Sequence, residues 1–109
     1  MKKKYLAGAL ALALGGPLSS NALAAGDAAA GKLKAELCMG CHGIPGYFNV
    51  YPTYHVPKIG GQHAEYIVAA LKAYKAGQRS HATMQAQAKS LSEQDMADIA
   101  AFFASQGDQ

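Results

Sequence analysis

The sequence has no tryptophan and only three phenylalanines in 109 residues. So little large aromatic surface leaves a chain of this length short of material for a self-sufficient core, and small domains in that position are commonly stapled by a disulfide, a metal or a cofactor. Cysteine is almost as scarce, at two residues, and none precedes Cys38, so the amino-terminal stretch offers no site for lipid attachment. A long apolar run is missing as well: Leu6 to Leu14 falls well short of the ~20 residues a membrane-spanning helix needs. An excess of one charge is also absent once the first residues are set aside. The formal +3 comes from Lys2, Lys3 and Lys4, and without them seven Lys and Arg face seven Asp and Glu. No basic cluster marks a nucleic-acid footprint, which gathers Lys and Arg on one face.

The amino terminus has the layout of an export signal. Met1-Lys2-Lys3-Lys4 forms a basic start, Leu6 to Leu14 a short apolar stretch, and Ala22-Leu23-Ala24 a small-x-small cleavage site. We read residues 1–24 as a signal peptide cleaved after Ala24, and residues 25–109 as one small domain with no stable membrane insertion. The rival is an uncleaved amphiphilic anchor.

The pattern of that domain is helical. Ala28 to Leu37 is rich in Ala, Lys and Leu and runs into Cys38. Residues 43–60 hold Gly43, Pro45, Gly46, Pro52, Pro57 and Gly60, a density of breakers that predicts a long loop. From His63 to Ala76 the residues Tyr66, Ile67, Ala70, Leu71 and Tyr74 share one face at helical spacing, with Gly77 as the stop. Gln78 to Thr83 reads as irregular and leads to Met84, with a short helix through Lys89. Ser92 followed by Asp95 predicts a capped helix start, and Met96, Ile99, Ala100 and Phe103 form its apolar stripe. The chain shows no internal repeat.

The two cysteines stand close together, in Cys38-Met39-Gly40-Cys41-His42. In an exported protein a disulfide is the first thought, but C-x-x-C followed by His is the pattern of covalent haem attachment. The spacing suits that chemistry. Two thiols three positions apart each reach one vinyl group on the same porphyrin edge, and the next residue offers its imidazole to the iron. Two rivals compete. A thioredoxin-like C-x-x-C follows a strand in a βαβ unit, whereas the residues before Cys38 read as helix. A zinc site needs two further ligands, and His55, His63 and His81 form no H-x-x-x-H pair.

Taken in order, four features resemble a class I c-type cytochrome of the small bacterial kind, over roughly residues 26–106. They are a helix with Gly31, the Cys38–Gly43 motif, and Pro57-Lys58-Ile59-Gly60-Gly61-Gln62 before a helix with Tyr66, Leu71, Gly77 and Arg79. The fourth is Met84 ahead of Leu91-Ser92-Glu93-Gln94-Asp95 and Ile99-Ala100-Ala101-Phe102-Phe103. The resemblance implies an all-α fold of three to four short helices wrapped around one covalent haem c, its first and last helices crossing where Gly31 admits Phe102 or Phe103. It implies Cys38 and Cys41 as thioether anchors, His42 as axial ligand and Met84 on a loop as the sixth ligand, with His81 as the rival. It further implies that the carbonyl of Pro57 takes the proton of His42, and that Arg79 stands near a haem propionate. The stretch Ile44 to Val56 departs from the simplest family pattern. It either wraps the haem edge or presents an apolar docking patch.

The function implied is periplasmic electron transfer between redox partner proteins, not enzymatic turnover, because His and Met together fill both axial positions. Two other classes remain: a haem subunit permanently docked in a larger oxidase or dehydrogenase, and a haem enzyme or gas sensor with an open sixth site.

Overall fold

The computed structural model describes residues 25–107, together with Gly15. But for Gly15, the leader expected over residues 1–24 lies outside the described residues.

Among the described residues, five helices and one small β-ribbon make up the domain, so the helical class expected is the one observed. The elements are α1 (Ala28–Lys34), α2 (Glu36–His42), β1 (Phe48–Asn49), β2 (Tyr54–His55), α3 (Ala64–Lys75), α4 (Ala82–Lys89) and α5 (Glu93–Ala104). The helix count exceeds the three or four expected, and local chemistry explains why.

The first helix is capped by Asp27, whose Oδ1 accepts the N–H of Ala29 at 2.9 Å. It does not run on into Cys38. Ala35, fully buried with φ −85° and ψ 2°, gives its N–H to both the Gly31 and Leu33 carbonyls. That shared bond tightens the turn and separates α1 from α2, which carries the whole cysteine motif.

The stretch read as a long loop, residues 43–60, contains an antiparallel ribbon that pairs Phe48 with His55 and Asn49 with Tyr54. Two-residue strands carry too little alternation to be seen in sequence. Val56 is buried beside the ribbon, while Phe48, Val50 and Tyr51 remain exposed.

Helix α3 ends as its sequence predicts. Gly77 takes φ +76°, the N–H of Gln78 bonds the Ala73 carbonyl at 2.9 Å and that of Gly77 bonds Tyr74 at 3.2 Å. This is a Schellman closure, which needs a residue comfortable in the left-handed region. The expected apolar face is correct at Ile67 and Leu71, which are buried, but Tyr66 lies outside it and is exposed. Helix α4 starts at Ala82, two residues earlier than expected, so Met84 belongs to a helix and not to a loop.

Helix α5 is the spine. The Ser92 side chain accepts the Asp95 N–H at 3.0 Å while the Asp95 carboxylate accepts the Ser92 N–H at 2.9 Å, the reciprocal pairing of a capping box. Its Met96, Ile99, Ala100, Phe102 and Phe103 form one buried cluster with Ala35, Ile67, Leu71 and Ala88. Phe103, Met96 and Ile99 are the largest fully buried side chains, each worth ~2 kcal/mol of apolar burial.

Helix α1 crosses α5 in direct backbone contact. Asp98, buried on α5, accepts the Asp27 N–H at 2.8 Å and the Gln94 side-chain amide at 2.8 Å on one oxygen, and pairs with Lys34 Nζ at 2.6 Å through the other. Helix α1, at both its cap and its last turn, is thereby tied to one carboxylate on α5.

Candidate haem site

Helix α2 presents Cys38, Cys41 and His42 within its last two turns. Both cysteines are unpaired and half-buried. Burial pushes the Cys38 thiol up from its ordinary value. A disulfide-exchanging C-x-x-C works the other way, through a thiolate made available at neutral pH. The structure thus places two thiols three residues apart on one helix, with Cys38 at the margin of the apolar core.

His42 is fixed by the segment that leads into α3. Its Nδ1 lies 2.8 Å from the Pro57 carbonyl oxygen. A carbonyl only accepts, so Nδ1 carries the proton and Nε2 keeps its lone pair. That is the arrangement of a metal-ligating histidine oriented by a hydrogen bond on its far nitrogen. The pairing of His42 with Pro57 implied by the resemblance is therefore present. Beside His42 lies a cleft lined by Met39, Ile44, Val56, Pro57 and Phe103 among others. Met39 is set here, its Cε close over Gly43.

Met84 is half-buried in the first turn of α4. It packs against the buried cluster at its margin, as do Cys38, Ile59, Val68, Tyr74 and Leu91. These side chains come from three helices and two loops and none is fully covered. A flat apolar group anchored to Cys38 would complete their burial, and the donor set matches it: two thiols, an imidazole with a free Nε2 and a soft thioether. The residues present fit a covalently held haem. A bare metal ion fits less well, since among the described residues no three His, Cys, Asp or Glu gather as a metal site.

The rival ligand His81 is engaged elsewhere. It is the N-cap of α4, its Nδ1 accepting the Met84 N–H at 3.3 Å, and its ring meets Tyr54 edge-on at 4.6 Å between centroids. His55 meets the Phe48 ring at 5.0 Å between centroids, tilted by 59°, and His63 is the exposed N-cap position of α3. Arg79 is exposed, with Nη1 3.4 Å from the Tyr66 hydroxyl and its guanidinium 4.8 Å from the Tyr74 ring centre. Among the described residues it pairs with no carboxylate. Sequence reasoning offered His81 only as a rival ligand, not as a cap, and singled out no role for Tyr54. The only signal available was the adjacency of His81 to a helix start, and histidine is an uncommon cap.

Comparison with known proteins agrees with the chemistry. The family model described as Cytochrome c matches residues 28–107. The chain is 45% identical over 97 residues to cytochrome c4 of Pseudomonas aeruginosa, covering 89% of this chain and 46% of that protein. It is 46% identical over 85 residues to cytochrome c-554(548) of Halomonas halodenitrificans, covering 75% of this chain and 99% of that protein. Cytochrome c4 of Stutzerimonas stutzeri is 39% identical over 106 residues, covering 89% of this chain and 48% of that protein. The chain thus spans about half the length of the cytochrome c4 relatives it matches. The cofactor of this family is haem c, held covalently. The matched span takes in every helix described, and on it the chain belongs to the cytochrome c family.

Proposed function

We propose that this chain is an exported electron carrier with one haem, anchored by Cys38 and Cys41 and ligated by His42 and Met84. The observation that carries the reading is His42, whose Nδ1 is committed to Pro57 at 2.8 Å and whose Nε2 is thereby left to bind iron. When bound, the haem supplies a one-electron couple whose potential is raised by Met/His ligation. The chain's own residues do the rest. Pro57 holds the His42 ring in one tautomer, the core flanked by Ile59, Val68 and Leu91 excludes water, and the Met84 thioether would supply the second protein ligand to the iron. Arg79, steadied by Tyr66 and Tyr74, stands ready for a haem propionate, where a charge-assisted bond is stronger than its present contacts.

Residues 1–24 act as the export signal in this reading, and the periplasm is the working compartment. No described helix is long and apolar enough to cross a membrane. A match over nearly the whole length of cytochrome c-554(548) supports a single-haem unit of this size. The half-length match to the cytochrome c4 relatives supports the second reading, a haem unit held in a larger assembly. Gel filtration of the native extract separates the two.

The test of the main reading is the optical spectrum of the purified protein, oxidised and reduced. The expected result is a covalent haem that survives denaturation, with the weak far-red band of methionine-bound ferric iron. A haem-free protein with a Cys38–Cys41 disulfide would overturn it.

A further inference from the structure

The helix that carries Met84 is held at both ends by different parts of the molecule. At its carboxyl-terminal end Ala88 is fully buried in the core. At its amino-terminal end the contacts come from the ribbon. The Tyr54 hydroxyl, on β2, donates to Thr83 Oγ1 at 2.9 Å. The Tyr54 ring meets the His81 imidazole edge-on, with an interplanar angle of 83°. His81 in turn accepts the Met84 N–H through Nδ1 at 3.3 Å and gives its own N–H to Gln85 Oε1 at 3.3 Å. Two residues of the helix start, His81 and Thr83, with only Ala82 between them, are thus fastened to one tyrosine.

From this arrangement we infer that Tyr54, His81 and Thr83 form a clamp that keeps the Met84 thioether seated, so that the ribbon controls how often the sixth ligand lets go. The inference rests on Met84 being that ligand. Physically, a ligand side chain leaves its metal when the backbone under it moves. The first turn of a helix is where backbone bonds are fewest and fraying is easiest. An N-cap acceptor on the Met84 N–H and a hydroxyl bond on the neighbouring Thr83 oppose that fraying at the residue that matters. The ribbon is otherwise peripheral: Phe48, Val50 and Tyr51 are exposed, and Tyr54 is its half-buried side chain turned toward α4. Tyr54, His81 and Thr83 are positioning residues here and touch no substrate.

The experiment is the rate at which imidazole binds the oxidised, haem-loaded protein, a rate limited by departure of Met84. Tyr54→Phe removes one hydroxyl and keeps the ring. His81→Ala removes the cap acceptor, and His81→Asn restores one. Loss of a single such hydrogen bond is expected to speed imidazole binding about fivefold in Tyr54→Phe and His81→Ala, with His81→Asn close to wild type. Ser92→Ala, which loses a comparable cap on α5, is the control for general loosening and is expected to leave the rate unchanged. Rates unchanged in Tyr54→Phe and Thr83→Val, or raised equally by Ser92→Ala, overturn the clamp while the ligand assignment stands. A wild type that lacks the far-red band and binds imidazole as fast as Met84→Ala overturns the assignment, and the clamp with it.

Discussion

Gly31 of α1 and Asp98 of α5 meet backbone to backbone: a Cβ built on Gly31 would lie 1.9 Å from the Asp98 carbonyl oxygen and 2.9 Å from Phe102 Cβ. The crossing of the first and last helices therefore depends on the missing side chain, and the partner of Gly31 is the Asp98 backbone as much as the Phe102 side chain. Gly31→Ala cannot be relieved by a rotamer change, because a carbonyl is in the way. Overpacking of this kind costs up to ~3 kcal/mol, and urea unfolding of the haem-loaded protein is expected to show a loss of that size. A loss below ~0.5 kcal/mol would mean that the helices slide apart without penalty.

The same crossing has an acid limit. Lys34, the Asp27 N–H and the Gln94 amide together hold the Asp98 carboxyl down to about 2, from an ordinary 3.8. A group whose folded-state pKa is depressed contributes stability that is complete above its ordinary value and is lost as pH falls toward the folded one. The contribution of Asp98 is thus expected to disappear between about pH 4 and pH 2. Lys34 moves the opposite way, raised above 10.5 by Asp98 and Asp95, so its contribution is present at neutral pH and fades only as pH rises through that raised value. Asp98→Asn is expected to be less stable than wild type at pH 7 and to converge on it near pH 2 in thermal unfolding. Parallel pH curves for the two proteins would deny the carboxylate this role.

The capping box at Ser92 gives a smaller and local effect. Ser92→Ala leaves the Asp95 N–H without its side-chain partner at 3.0 Å, a loss of ~1 kcal/mol. Amide hydrogen exchange is the fitting measurement, because it should show faster exchange confined to the first turn of α5, with the interior of the helix keeping its protection.

What could be read in the sequence was whatever short-range chemistry decides. The start of α5 at Ser92, the stop of α3 at Gly77 and the buried stripe of Met96, Ile99, Ala100 and Phe103 all follow from residues within one or two turns of each other. The break at Ala35 was not legible, because it depends on burial against α5, remote in sequence. Nor was the load on Asp98, whose partners Asp27 and Lys34 lie 71 and 64 positions away. A charged residue between Ala97 and Ile99 gives no hint of what it meets. At the candidate site the cysteine motif and His42 stood out because their spacing is itself the chemistry. The surroundings of Met84 did not, since a tyrosine on a two-residue strand and a histidine acting as a cap acquire meaning only when the chain brings them together.

In the proposed ligation Met84 is what separates an electron carrier from a ligand-binding haem protein, so its replacement tests that reading directly. In Met84→Ala the thioether is gone but the clamp at its backbone N–H persists, because His81 bonds the main chain and not the side chain. Helix α4 should therefore keep its place, and the far-ultraviolet circular dichroism should match wild type. The iron would lose its soft ligand, which favours the reduced state. The expected outcomes are loss of the far-red band in the oxidised protein, a lower reduction potential, and carbon monoxide binding in the reduced variant that the wild type resists. If the reduced wild type binds carbon monoxide as readily as the variant, the sixth position is open in the native protein. The chain would then be a ligand-binding haem protein, with Met84 as packing at the margin of the core, a use to which methionine is well suited.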